Sequence, residues 1–121
     1  MTILLVTVAG GAGAVVRWLL DLAAAARFGR ALPWGTIGTN VAGSTFAGAL
    51  VGATLGAHLG EHATEVLAVG FCGGLTTFSA ASFDVARELE RRRVGLGAVL
   101  FAAPMVLATG FGVIAFHLAG G

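Results

Sequence analysis

The chain has 121 residues, 57% of them hydrophobic and only 11% charged, with a formal net charge of +1. A water-soluble domain of this size carries about 25% charged residues, so there is too little polar surface here to cover a globule in water. The near-neutral balance gives no electrostatic footprint for nucleic acid, and a lone cysteine, Cys72, excludes an internal disulfide and any CxxC metal pair.

Four stretches lack Asp, Glu, Lys and Arg: Met1–Val16, Ala31–Gly60, Val66–Phe83 and Val94–Gly121. A spanning helix needs about 20 apolar residues. The last two stretches supply that length, the second includes some loop, and the first continues past Arg17 through Trp18-Leu19-Leu20. No Lys or Arg precedes the first run, which argues against a secretory signal. The expected fold is an all-α membrane domain over residues 1–121, with four transmembrane helices at about 3–26, 34–57, 64–90 and 94–119. Four short helices enclose little interior, so a dimer in the cell membrane is expected.

In the first span, Gly10-Gly11-Ala12-Gly13-Ala14 permits close helix contact and Arg17 follows a turn later. An arginine at such a depth costs about 2.5–3.5 kcal/mol on insertion scales and faces protein or a water cavity. Two readings stand: a charge that draws anions into a vestibule, or a structural residue that snorkels or pairs with Asp21 four residues on.

The second span opens with Pro33-Trp34, suited to a helix start at the membrane interface. Thr36, Asn40, Ser44, Gly48, Gly52, Gly56 and Gly60 then recur at a four-residue spacing, which places small or polar groups on one helix face. Gly48 to Gly56 suit close packing. Asn40 differs, because an amide in lipid needs partners and offers two N–H donors; it either lines a pore or braces the structure.

The third span holds Gly70-Phe71-Cys72-Gly73-Gly74-Leu75-Thr76-Thr77-Phe78-Ser79, a run of glycines and hydroxyls inside a charge-free segment. Polar backbone at membrane depth is tolerated where it binds something or lines a cavity. The run predicts a break near 73–77, with carbonyls of Gly73 and Thr76 free to hold a cation such as sodium. Thr77, Phe78 and Ser79 set two hydroxyls beside an aromatic ring, whose positive edge favours an anion. In the fourth span, Pro104 suggests a kink. Thr109 either lines a pore or bonds back to its own helix. His117 falls at the interface.

The chain has no lysine, and six of its seven arginines lie in two connections: Arg27 and Arg30, then Arg87, Arg91, Arg92 and Arg93. With four spans those connections share one membrane face, predicting cytoplasmic loops and external termini. A pair such as Glu88 with Arg92 would further solvate the helix end. Enzymatic motifs fail. Gly11-Ala12-Gly13 lacks the third glycine and the acidic residue of a dinucleotide fingerprint, and Gly73-Gly74-Leu75-Thr76-Thr77 lacks the P-loop lysine. The chemistry expected is transport.

These residues resemble the Fluc, or CrcB, fluoride channels across essentially the whole chain. The matching pieces are Gly13-Ala14-Val15-Val16-Arg17, Gly35-Thr36-Ile37-Gly38-Thr39-Asn40-Val41-Ala42-Gly43 and the run from Gly70 to Ser79. The resemblance implies an antiparallel dual-topology dimer that passes fluoride passively out of the cell. It implies a structural sodium ion on the carbonyls of Gly73 and Thr76, fluoride contacts from Asn40, Phe78 and Ser79 with Thr77 close by, and Arg17 near the vestibule. One position departs from the family's Phe-x-x-Phe arrangement: Ala81 stands where a second pore phenylalanine is expected. Phe83 lies about 140° further round the helix from Phe78 and cannot replace it. Together with the one-sided arginines, this suggests pairing with an oppositely oriented paralogue as an alternative to a homodimer, and a non-conducting partner subunit as an alternative role. A small multidrug-type exporter would need a membrane-embedded carboxylate, which only Asp21, near a span end, approaches.

Overall fold

The structure, a computed structural model, describes residues 1–121 and is entirely helical. Helix α1 (Thr2–Phe28) and α2 (Trp34–Leu55) are joined by a short loop. A one-turn α3 (Glu61–Thr64) runs directly into a π-helical segment (Glu65–Cys72) and a further turn, α4 (Gly73–Leu75). After two extended residues the chain resumes as α5 (Phe78–Glu90), and α6 (Val94–Leu118) closes the fold. Three of these helical stretches are long and apolar enough to cross a membrane: α1, the broken helix Glu61–Glu90, and α6.

Glycines set how the helices meet. Gly13 faces the Phe71 carbonyl and Leu75 backbone, and Gly74 faces the Gly10 backbone, so α1 and the first half of the broken helix run side by side in the same direction. Gly48 meets the Gly112 backbone and Gly52 that of Phe116, so α2 and α6 are likewise parallel. A β-carbon at any of these positions would overlap main chain, and small residues are what allow apolar helices such close contact. The glycine ribbon of α2 is thus its packing seam against α6. Gly73, by contrast, has ordinary helical dihedrals and open space beside it. The glycine pair at 73–74 does not itself break the helix; Gly74 serves the α1 contact, and the break falls at Thr76-Thr77.

Only 13 residues are buried, and the buried hydrophobic set is Leu50, Cys72, Leu75 and Leu100. Large apolar side chains such as Ile3, Val8, Trp18, Phe101, Val106 and Ile114 stand more than half exposed along α1 and α6. A soluble monomer does not present so much contiguous apolar surface, whereas lipid and a partner subunit would cover it. At the other extreme, Glu88 is 1% exposed at the α5–α6 turn. Arg93 Nε lies 2.8 Å from one of its carboxylate oxygens and Arg91 Nη1 3.4 Å from the other. The expected pairing with Arg92 does not form. The helix ends at Glu90 and Arg92 takes a left-handed φ of 58°, so the four-residue register is lost and Arg93 folds back instead.

Candidate ion pathway at the helix break

Thr76 and Thr77 are extended, with φ/ψ of −85°/156° and −152°/123°. Two consecutive β-branched residues resist helical χ1 crowding, and each has an alternative use for its groups. The Thr76 hydroxyl and N–H both donate to the Cys72 carbonyl, at 3.0 and 2.9 Å, closing off the first half-helix. The Thr77 hydroxyl accepts from Ala80 N–H at 3.2 Å and so caps the start of α5.

The break frees main-chain groups at membrane depth, where each must find a partner. Asn40 on α2 supplies it: its side-chain oxygen accepts from Thr77 N–H at 2.7 Å and its Nδ2 donates to the Thr77 carbonyl at 3.0 Å. One amide therefore satisfies both backbone groups of the residue at the bend, as a neighbouring strand would, and keeps one N–H unspent. Because Thr77 N–H is taken by Asn40, the Gly73 carbonyl loses the donor a continuous helix would give it. The Thr76 carbonyl accepts no hydrogen bond at all.

These groups border an open groove of about 390 Å³. Asn40 and Ser44 of α2, Gly73, Thr76 and Thr77 of the break, Phe78, Ala81 and Ser82 of α5, and Phe101, Pro104 and Met105 of α6 form its walls. The Phe78 ring is 73% exposed. The Ser79 hydroxyl lies 3.2 Å from that of Thr77, just outside the groove wall. If one of these hydroxyls donates to the other, one proton of the pair remains free to point elsewhere. The start of α5 also carries the positive end of its helix dipole, while the carbonyl end of α4 faces the other way. One break thus creates an end that favours an anion and an end that favours a cation.

Of the residues expected at the site, Asn40, Gly73, Thr76, Thr77 and Phe78 line the groove and Ser79 touches it through Thr77. Thr109 does not reach it. It is exposed on α6, outside the wall formed by this one subunit, and its hydroxyl makes no bond back to its own helix. Arg17 is also away from the groove, half-buried on α1, and does not pair with Asp21. Asp21 is instead turned against Gly35 at the α1–α2 crossing. Nε of Arg17 and Oδ1 of Asp21 are both buried without hydrogen-bond partners.

Ser82 was not foreseen, and Ser44 was read only as a member of the small and polar stripe that includes Asn40. Ser44 follows Asn40 by four residues on the same face, and Ser82 follows Phe78 by four, so helical spacing carried the signal once a groove residue on each helix was known. Ala81 lies on the groove wall, leaving open volume beside Phe78, and Phe83 is no part of that wall. Between the groove and a second cavity at the arginine-bearing end lies a small pocket of about 10 Å³, which shares Asn40, Ala81 and Pro104 with the groove and Thr36 and Asp84 with the second cavity. That volume is about one water molecule's worth.

Residues 4–119 match the family described as CrcB-like protein, Camphor Resistance (CrcB). The chain is 46% identical over 98 residues to the fluoride-specific ion channel FluC 2 of Cutibacterium acnes, covering 78% of this chain and 80% of that protein. It is 44% identical over 109 residues to the fluoride-specific ion channel FluC of Rhodospirillum centenum, covering 89% and 86%. Identity to FluC 1 of Leifsonia xyli is 35% over 120 residues, covering 99% of this chain and 88% of that one.

Proposed function

Because this chain belongs to the CrcB-like family, we propose that it is a subunit of a fluoride-selective channel that lets fluoride run passively down its gradient and out of the cell. It is a multi-pass membrane protein and not an enzyme. The observation that carries the reading is the braced break at Thr76-Thr77, with its groove. There, the spare N–H of Asn40, a hydroxyl proton of the Thr77/Ser79 pair and the edge of Phe78 offer a small hard anion several weak contacts. Selective conduction needs binding strong enough to replace water yet weak enough to release. Several modest donors meet that condition better than a single strong cation would.

The groups at the break also suit a sodium ion. The Thr76 carbonyl has no donor and that of Gly73 has lost one, and unwound carbonyls are what transporters use for this ion. One chain supplies these two oxygens and a second chain would supply two more, so the ion would add a fixed positive charge where the subunits meet.

The 22 residues of α2 span about 33 Å at 1.5 Å per residue. We assign it the fourth crossing; its polar stripe lowers its hydropathy without shortening it. The apolar faces of α1 and α6 and the exposed Phe78 favour an antiparallel dimer in which each groove is completed by the partner. The one-sided arginines favour a partner of opposite orientation, either a second copy or a paralogue. The numbered names of two relatives fit such paired versions.

Reconstitution into fluoride-loaded liposomes tests the reading, with efflux followed by a fluoride electrode. Efflux that excludes chloride is the expected result. Chloride passing at a comparable rate would refute it, as would no fluoride efflux either alone or with a homologue of reversed arginine bias.

A further inference from the structure

The cavity of about 160 Å³ at the arginine-bearing end shares no wall residue with the groove, and its walls are of a different kind. They carry two carboxylates, Asp21 and Asp84, two guanidiniums, Arg30 and Arg87, and the Thr36 hydroxyl, with Trp34 at the rim. These charges are only partly spent on one another. Arg87 Nη2 lies 3.4 Å from Asp84 Oδ1. Oδ1 of Asp21 and Nε of Arg87 are buried with no hydrogen-bond partner, and Arg30 joins no ion pair. Buried polar atoms without partners are uncommon and costly, and each asks for an unseen one.

The missing partners differ in kind. Asp21 Oδ1 lacks a donor, whereas Arg87 Nε lacks an acceptor, with Glu88 Oε1 no closer than 4.0 Å, and the exposed Arg30 is unpaired. Two carboxylates and two guanidiniums cancel, so the cavity as a whole favours neither an anion nor a cation. What answers it is a zwitterion with N–H donors at one end and anionic oxygens at the other. The cavity lies at a helix end beside Trp34, which is 47% exposed, and tryptophan and arginine together mark the headgroup layer of a bilayer.

We propose that this cavity seats the phosphoethanolamine headgroup of a membrane lipid, its primary ammonium on Asp21 and Asp84 and its phosphate on Arg30 and Arg87. A trimethylated nitrogen has no N–H for Asp21. A headgroup without nitrogen leaves the carboxylates facing nothing but phosphate. The same headgroup chemistry exists in free phosphoethanolamine, but the exposed apolar side chains of α1 beside the cavity, such as Leu22, give acyl chains a surface to follow.

The test uses the full chain, purified in detergent in its assembled state, and native mass spectrometry with phosphatidylethanolamine, phosphatidylglycerol and phosphatidylcholine of identical acyl chains. The ethanolamine lipid is expected to bind at least about tenfold more tightly than the other two, the effect of a charge-assisted hydrogen bond made or missed. Asp21→Asn should bring it down to the level of the choline lipid. Arg30→Gln, a change in an exposed loop that leaves helix packing alone, should weaken it as well. Equal retention of the three lipids refutes the site, as does retention unchanged in both variants when they elute like the parent. Free phosphoethanolamine binding as tightly as the lipid would refute the lipid as its source.

Discussion

Replacing Asn40 by alanine strikes the helix break at the side chain that braces it from another helix. The amide accepts from Thr77 N–H at 2.7 Å and donates to the Thr77 carbonyl at 3.0 Å, so Asn40→Ala strands both groups at once. A buried group left unsatisfied costs about 1–3 kcal/mol in soluble proteins, while hydrogen bonds measured within membrane proteins average about 0.6 kcal/mol. Two such bonds place the loss between about 1 and 6 kcal/mol, and the half-buried setting, open to the groove, puts it near the lower end, at about 2 kcal/mol. Titration of mixed micelles with SDS, followed through the fluorescence of Trp18 and Trp34, measures it directly. Fluoride efflux should fall along with stability, because the same residue offers its remaining N–H to the ion. Asn40→Asp separates the two roles: it keeps an acceptor for Thr77 N–H, so it should recover part of the stability, yet it puts a negative charge beside the groove and should abolish conduction. An alanine variant with unchanged unfolding and unchanged efflux would refute the bracing argument.

Further outcomes follow from the same geometry. Gly52→Val should cost at least about 2 kcal/mol in the SDS titration, since its side chain would overlap the Phe116 backbone, whereas Gly38→Ala, with open space beside it, should be neutral. Thr109→Val should leave fluoride efflux within about twofold of the parent, because its hydroxyl is exposed on α6 away from the groove. Exchanging sodium for a bulky organic cation throughout purification should lower the thermal stability of the assembled protein, read by the loss of its assembled peak in size exclusion. An unchanged melting curve would refute the proposal that the Thr76 and Gly73 carbonyls hold sodium.

Much of the site was legible because its parts were unusual for their surroundings. An amide, paired threonines and a serine have no packing role in lipid, so Asn40, Thr77 and Ser79 stood out from composition alone. What the residues did with one another was less visible. Asn40 was read as an anion donor or a brace, and only the contact with Thr77, 37 positions away, shows that it braces the chain with its oxygen and one of its two N–H donors. Thr109 drew attention for being polar and shares its face of α6 with Met105, four residues earlier, but it lies a turn beyond the groove wall. The pairings expected at four-residue spacing, Arg17 with Asp21 and Glu88 with Arg92, failed for local reasons: one partner was drawn to a helix crossing, and the other lay past the end of its helix.

Composition and spacing alone place this chain in a membrane, bring its helices together through small residues and interrupt the third. These follow from hydropathy, spacing and the need of every backbone polar group for a partner, all of which are local. Tertiary structure decided where the interruption falls and what holds it open. It also decided that the helix break and the arginine-bearing end border separate cavities of different character, one lined by weak donors and the other by balanced charges. Those outcomes depend on which faces of distant helices come together, and no periodicity within a single helix encodes that.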